Sequence, residues 1–178
     1  MNIFFVHKEP KEAAQMLCNA HVRSQIKESV QMLATAHYML GLDSSCVVPP
    51  THRNHPATKW VMGNRANYEW LFEHYKALLA EYKHRHGVEH HYVQHIPALE
   101  MMPNGIEFQR HYATCPPAIV TEDLKPKHND WASVVEAYRA YYNREKRHLH
   151  HWMVRDKPDW ITEPVTEEGT SDGTISPG

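Results

Sequence analysis

The sequence predicts a mainly α fold: a compact single domain of about three principal helices, with a long irregular connection and a disordered C-terminal tail. Three observations carry the prediction. Residues 11–40 contain neither proline nor glycine, and residues 56–86 hold one glycine after an opening proline, so each can run as helix. Prolines crowd residues 87–129, in IPALEMMPNG, TCPPAIV and LKPKHND, which excludes continuous helix there. After Trp160 the chain reads ITEPVTEEGTSDGTISPG, too polar to bury a core. The expected division is therefore one helical domain over 1–160 and a flexible acidic tail over 161–178.

Taken in order, Asn2 to Val6 is a short apolar run, either an edge strand or a buried N-terminal arm. The first helix is expected from about Lys11 to Leu40, with Val22, Ile26, Val30, Leu33 and Leu40 on one face and Gly41 closing it. Residues 42–56 form a loop. The second helix begins near Pro56, where proline suits the first turn, and runs to His86 before Gly87, with a break at Gly63–Asn64. Asp130 is the expected N-cap of a third helix that runs to about Trp152 and carries Trp131, Val134, Val135, Tyr138, Tyr141 and Tyr142.

Composition narrows the function classes. No run is long enough to span a bilayer, and MNIFFVHKEPKE lacks the apolar core of a signal peptide, so a cytoplasmic protein is expected. Three cysteines without CxxC spacing fit a reducing interior. Cys115, in a proline loop, is read as structural rather than nucleophilic. The net charge of -2 is unevenly placed: the last 18 residues hold four acids and no base, leaving a small positive excess over 1–160. Within RAYYNREKRHLHH (139–151) four bases face one acid, a modest basic patch that permits a nucleic-acid partner. There is no GxGxxG or Walker loop.

Two helical stretches each carry a histidine followed seven residues later by a glutamate: His21/Glu28 and His74/Glu81. Two helical turns place each pair on one face. Antiparallel packing of the two helices brings Glu28 level with His74 and His21 level with Glu81. Such a cleft supports two readings. In one, Glu28 is an acid/base with His21 and His74 beside it. In the other, His21, Glu28, His55, His74 and Glu81 ligate iron, manganese or zinc, since imidazole with carboxylate suits those ions. A buried hydrogen-bonded pair is the plain alternative. A third class is a non-enzymatic protein that binds a host factor through its acidic tail and long middle loop.

The residues also resemble a known family. The first helix reads AHVRSQIKESVQML, with histidine and then glutamate seven residues on. The loop and second helix read RNHPATKW and NYEWLFEHYKALLAEYKHRHG, and the third helix reads AYRAYYNREK. These segments, over about 1–91 and 131–146, resemble the pyrimidine-dimer DNA glycosylases of the phage endonuclease V type. The resemblance implies a DNA glycosylase/AP lyase, acting on damaged or modified pyrimidines in DNA or nucleotides without a cofactor. Its nucleophile is the N-terminal α-amine, which suits the task because such amines titrate at about 7.7–8.0 and are partly neutral at physiological pH.

By motif position Glu28 polarises the sugar and moves protons. Residue 2 is asparagine where the phage enzyme has threonine, and methionine ahead of asparagine is ordinarily retained, so the expected amine is that of Met1. Lys27 falls where a basic neighbour is expected, and Gln31 where the family carries an arginine. Arg139 and Lys146 are expected at the DNA backbone, with Tyr138, Tyr141 and Tyr142 near the opened base pair.

Overall fold

The N-terminal arm is the element around which the helices are arranged in the computed structural model, which describes residues 1–41, 48–106 and 112–162. Ile3, Phe4, Phe5 and Val6 are all buried and none pairs as a strand, so of the two expectations the buried arm is the one realised. Phe5 alone meets Trp60, Trp70, Trp131 and Tyr138, with ring centroids 4.9–5.7 Å apart. Full burial of such side chains contributes about 1.5–3 kcal/mol each, enough to pin a chain terminus that would otherwise fray.

Among the described residues the fold is helical and contains no strand: α1 Pro10–Met16, α2 Asn19–Met39, α3 Pro56–Met62, α4 Arg65–His86, α5 Ile96–Glu100 and α6 Trp131–Glu145. The second predicted helix breaks where expected. Asn64 accepts the Asn67 amide at 2.9 Å to start α4, and Gly87 ends it in the left-handed region at φ 71°. Asp130 caps α6 by accepting the Ser133 amide at 2.8 Å. None of the helices is long and apolar enough to cross a membrane.

The first predicted helix is two. Leu17 and Cys18 are extended, with ψ 145° and 163°, although no proline or glycine marks the place. Distant side chains take over the backbone groups that the break releases. Arg85 donates to the carbonyls of Gln15 and Leu17, Trp152 donates to that of Met16, and the Cys18 amide donates to the Tyr142 hydroxyl at 2.9 Å. With its orphan groups satisfied, α1 turns aside and packs on α4 alongside α2.

The third helix stops at Glu145, short of the predicted Trp152, because the chain turns back there. The His151 carbonyl accepts the Asn19 amide at 2.9 Å, and Arg155 reaches Glu81. Near the predicted domain boundary, Ile161 is buried and the Thr162 amide donates to Asn143 Oδ1 at 3.0 Å. The acidic stretch from 163 onward lies outside the described residues, as do residues 42–47 of the loop after α2.

Candidate active site at the N-terminus

The buried arm delivers the chain terminus to the side of α2. Asn2 donates its backbone N–H to Glu28 Oε2 at 2.7 Å, and the Met1 α-amine stands 3.9 Å from the same oxygen. The Met1 side chain is only 2% exposed, whereas that of Glu28 is 25% exposed, so one end of the site is packed and the other open to solvent. Gln25, one turn before Glu28, donates to Oε2 at 3.2 Å. Its own Oε1 and the Ser29 hydroxyl, both buried, have no hydrogen-bond partner among the described residues. A carboxylate holding backbone and side-chain donors beside an amine is arranged to accept and return protons.

Asn2 is fixed by its side chain as well. Its amide nitrogen donates to the Ile119 carbonyl at 3.0 Å, and its Oδ1 accepts the Tyr138 hydroxyl at 2.9 Å. Tyr138 is fully buried and its hydroxyl also accepts the Ile119 amide at 3.1 Å. It is therefore an anchor for residue 2 rather than a residue free to stand near an opened base pair. His55, at the N-cap of α3, interacts electrostatically with both the N-terminal ammonium and Glu28. Burial is the main cause that holds its ring below the ordinary histidine pKa, with the ammonium next.

Glu28 and Met1 thus meet, but His21 and His74 do not share their cleft. His21 bonds through Nδ1 to the Tyr142 hydroxyl at 2.7 Å and packs on Phe4, with ring centroids 4.4 Å apart. Burial, then Lys146, lowers its pKa to about 4. His74 bonds through Nδ1 to the Pro10 carbonyl at 2.8 Å and stacks on Trp70 at 5.1 Å. Its Nε2 has no hydrogen-bond partner among the described residues, and burial lowers its pKa to about 4. The cause is the break at Leu17–Cys18: α1 covers the α4 face that the sequence reading turned toward Glu28.

The five predicted metal ligands are likewise not gathered. Glu81 is held by Arg85 at 2.7 Å and by Arg155 at 2.7 and 2.8 Å, and is 2% exposed. Among the described residues no three His, Cys, Asp or Glu side chains stand close enough to hold an ion. Antiparallel pairing of α2 with α4 does occur, through His37 with Tyr68 at 2.6 Å and Asn19 with Arg85 at 2.9 Å.

Of the residues expected to meet DNA, Lys27 is exposed and immediately precedes Glu28 on α2, and Gln31 is half-buried one turn on. Just past the end of α6, the capping residue Lys146 sits over the ring of Tyr141 at 5.3 Å, both partly exposed. Arg139 is half-buried, donating to the Val6 carbonyl at 2.9 Å and lying 5.4 Å from the Trp160 ring. Tyr142 is fully buried with its hydroxyl committed to Cys18 and His21, so it cannot touch a duplex in this fold. Cys115 has its thiol pushed up by burial and by Asp130, which disfavours the nucleophilic thiolate.

Sequence reasoning missed the part played by Asn2 and took His55 only for a ligand. The available signal was the apolar run IFFV directly behind residue 2, which buries the arm and so fixes what precedes it.

Comparison with known proteins bears on the same segment. A family model described as pyrimidine dimer DNA glycosylase matches residues 1–95, which include Met1, Asn2, Gln25, Glu28 and His55. No curated protein and no solved structure matches the chain. The matched segment exceeds half of the 178 residues, and the chain belongs to the pyrimidine dimer DNA glycosylase family.

Proposed function

We propose that the protein excises damaged pyrimidines from DNA and cuts the strand at the resulting abasic site, using the Met1 α-amine as nucleophile and Glu28 as the proton-transfer group. The observation that carries this reading is the approach of the amine to Glu28 Oε2, at 3.9 Å, with the Asn2 amide on the same oxygen at 2.7 Å. The amine lone pair forms a bond to the sugar C1′ as the bond from C1′ to the base breaks, and the base departs with that electron pair and takes a proton. Opening of the sugar ring leaves a Schiff base between Met1 nitrogen and C1′. Glu28 then removes a C2′ proton, the electrons move toward the Schiff base, and the 3′ phosphate leaves. Water hydrolyses the Schiff base and frees the enzyme.

Roles elsewhere follow from exposure and charge. Lys27, beside Glu28, and Lys146 with Tyr141 on α6 are offered as contacts to the DNA backbone, with Arg139 holding the arm between them. Such a chain would work where DNA is, inside the cell. The reaction as written routes no step through a metal or cofactor. The experiment is incubation with ultraviolet-irradiated and abasic duplexes in EDTA with borohydride. A covalent protein–DNA adduct is expected, and its absence on both duplexes retires the lyase step.

A further inference from the structure

Three nitrogens converge on one oxygen of Glu28. The Asn2 amide stands 2.7 Å from Oε2, the Gln25 side-chain nitrogen 3.2 Å and the Met1 α-amine 3.9 Å. Among the described residues no hydrogen bond engages Oε1, and the Glu28 side chain is 25% exposed. Gln25, by contrast, is 1% exposed. It lies one turn before Glu28, where the two side chains are neighbours on the helix surface. The carboxylate sets the orientation of its amide: turned over, Gln25 Oε1 would stand against Glu28 Oε2, acceptor against acceptor. The nitrogen therefore faces Glu28, and Oε1 is left buried with no donor among the described residues. Ser29, one turn on from Gln25, does not supply one, since its own buried hydroxyl is also unpartnered. A buried carbonyl without a donor costs stability, and an apolar chain of the same length would pack there without that cost. Packing gives no reason for a glutamine at this position; the bond to Glu28 does.

We propose that Gln25 is a positioning residue for Glu28: together with the Asn2 amide it fixes Oε2 beside the Met1 amine and leaves Oε1 as the oxygen that takes the C2′ proton. This rests on the proton-transfer reading of Glu28 above and assigns that step to one of its two oxygens. A carboxylate on a two-carbon stem turns freely about its last bonds, and a displacement of about 1 Å can cost on the order of a hundredfold in rate. Two donors on the same oxygen, one from the buried arm and one from α2, remove that rotation before DNA arrives.

The test is Gln25→Met, which keeps the length of the side chain and removes both the donor and the orphaned carbonyl. Positioning predicts single-turnover cleavage of an abasic duplex at least about tenfold slower at unchanged DNA affinity, with a urea midpoint no lower than that of the unsubstituted protein. In Glu28→Gln no carboxylate is left to position, so adding Gln25→Met there should change the remaining cleavage by less than about twofold. Hydrogen exchange of the Asn2 amide, followed without DNA, should quicken about tenfold in Gln25→Met as the carboxylate that accepts it gains freedom. Unchanged Asn2 exchange overturns the proposal. So does a loss of cleavage that is just as large with Glu28→Gln in place, or one accompanied by a lowered urea midpoint, since either marks a merely structural role. If the unsubstituted protein cleaves no abasic duplex while Asn2 exchange quickens in Gln25→Met, the hold on the carboxylate stands and the lyase reading falls.

Discussion

The backbone amide of Asn2 donates to the carboxylate of Glu28 at 2.7 Å, joining the chain terminus to the middle of α2 across 26 residues of sequence. That bond ties the placement of the proposed nucleophile, the Met1 amine, to the residue proposed to move protons, so the two can be separated only by a substitution that keeps the acceptor. Glu28→Gln does this. Its carbonyl still accepts the Asn2 amide, but it cannot take a C2′ proton. Strand cleavage in single turnover is expected to fall at least about a hundredfold, the low end for loss of a general base. The thermal midpoint should move little, because the side chain is partly exposed. Cleavage retained within a few-fold assigns the proton transfer to another group.

Lys27 and Tyr142 are expected to behave differently although sequence reading placed both at DNA. Lys27→Ala should weaken binding to every duplex and reduce the salt slope of log K by about one. Tyr142→Phe should leave affinity and slope unchanged. It should instead destabilise the fold by about 1–3 kcal/mol, since the buried Cys18 amide loses its acceptor. Filter binding over a salt series and urea melts check both.

Glu81 is structural in this account. Glu81→Gln leaves Arg85 buried without a carboxylate and is expected to cost about 3 kcal/mol. Arg155→Ala removes the partner that is 32% exposed and should cost less than about 1 kcal/mol. Equal losses for the two variants in urea melts contradict the assignment.

Acid should destabilise the protein before its carboxylates titrate. His21 and His74 are each depressed from 6.5 to about 4, chiefly by burial. Between those values the unfolded chain binds protons that the folded chain does not. Their stabilisation is therefore complete above pH 6.5 and is lost as pH falls through 4. The loss is on the order of 3 kcal/mol for each group. Urea melts at pH 7, 5.5 and 4.5 should show the decline, and His74→Asn should flatten it by up to one proton. An unchanged slope in that variant contradicts the assignment.

How much was legible in sequence varies with the kind of signal. The breaks at Gly63–Asn64 and Gly87 and the Asp130 cap were readable because glycine, asparagine and aspartate act locally. The break at Leu17–Cys18 was not, because the groups that permit it come from Arg85, Tyr142 and Trp152, far along the chain. That one miss redirected the site reading. With residues 11–40 taken as a single helix, His74 was turned toward Glu28; with α1 folded onto α4, it meets Pro10 instead. Glu28 was singled out by the family motif, and Met1 by the chemistry that motif implies. Spacing alone ranked Glu81 equally with Glu28, and only tertiary contacts separate a carboxylate clamped by two arginines from one facing an amine.

The central claim is that the Met1 amine attacks the sugar. The most direct measurement is mass spectrometry of the borohydride-reduced adduct after nuclease and protease digestion, with tag-free protein. The account predicts the sugar remnant on the α-nitrogen of the peptide beginning MNIFFVHK, with Met1 retained. A remnant on Lys27 or another lysine, or on Asn2 after loss of Met1, contradicts it.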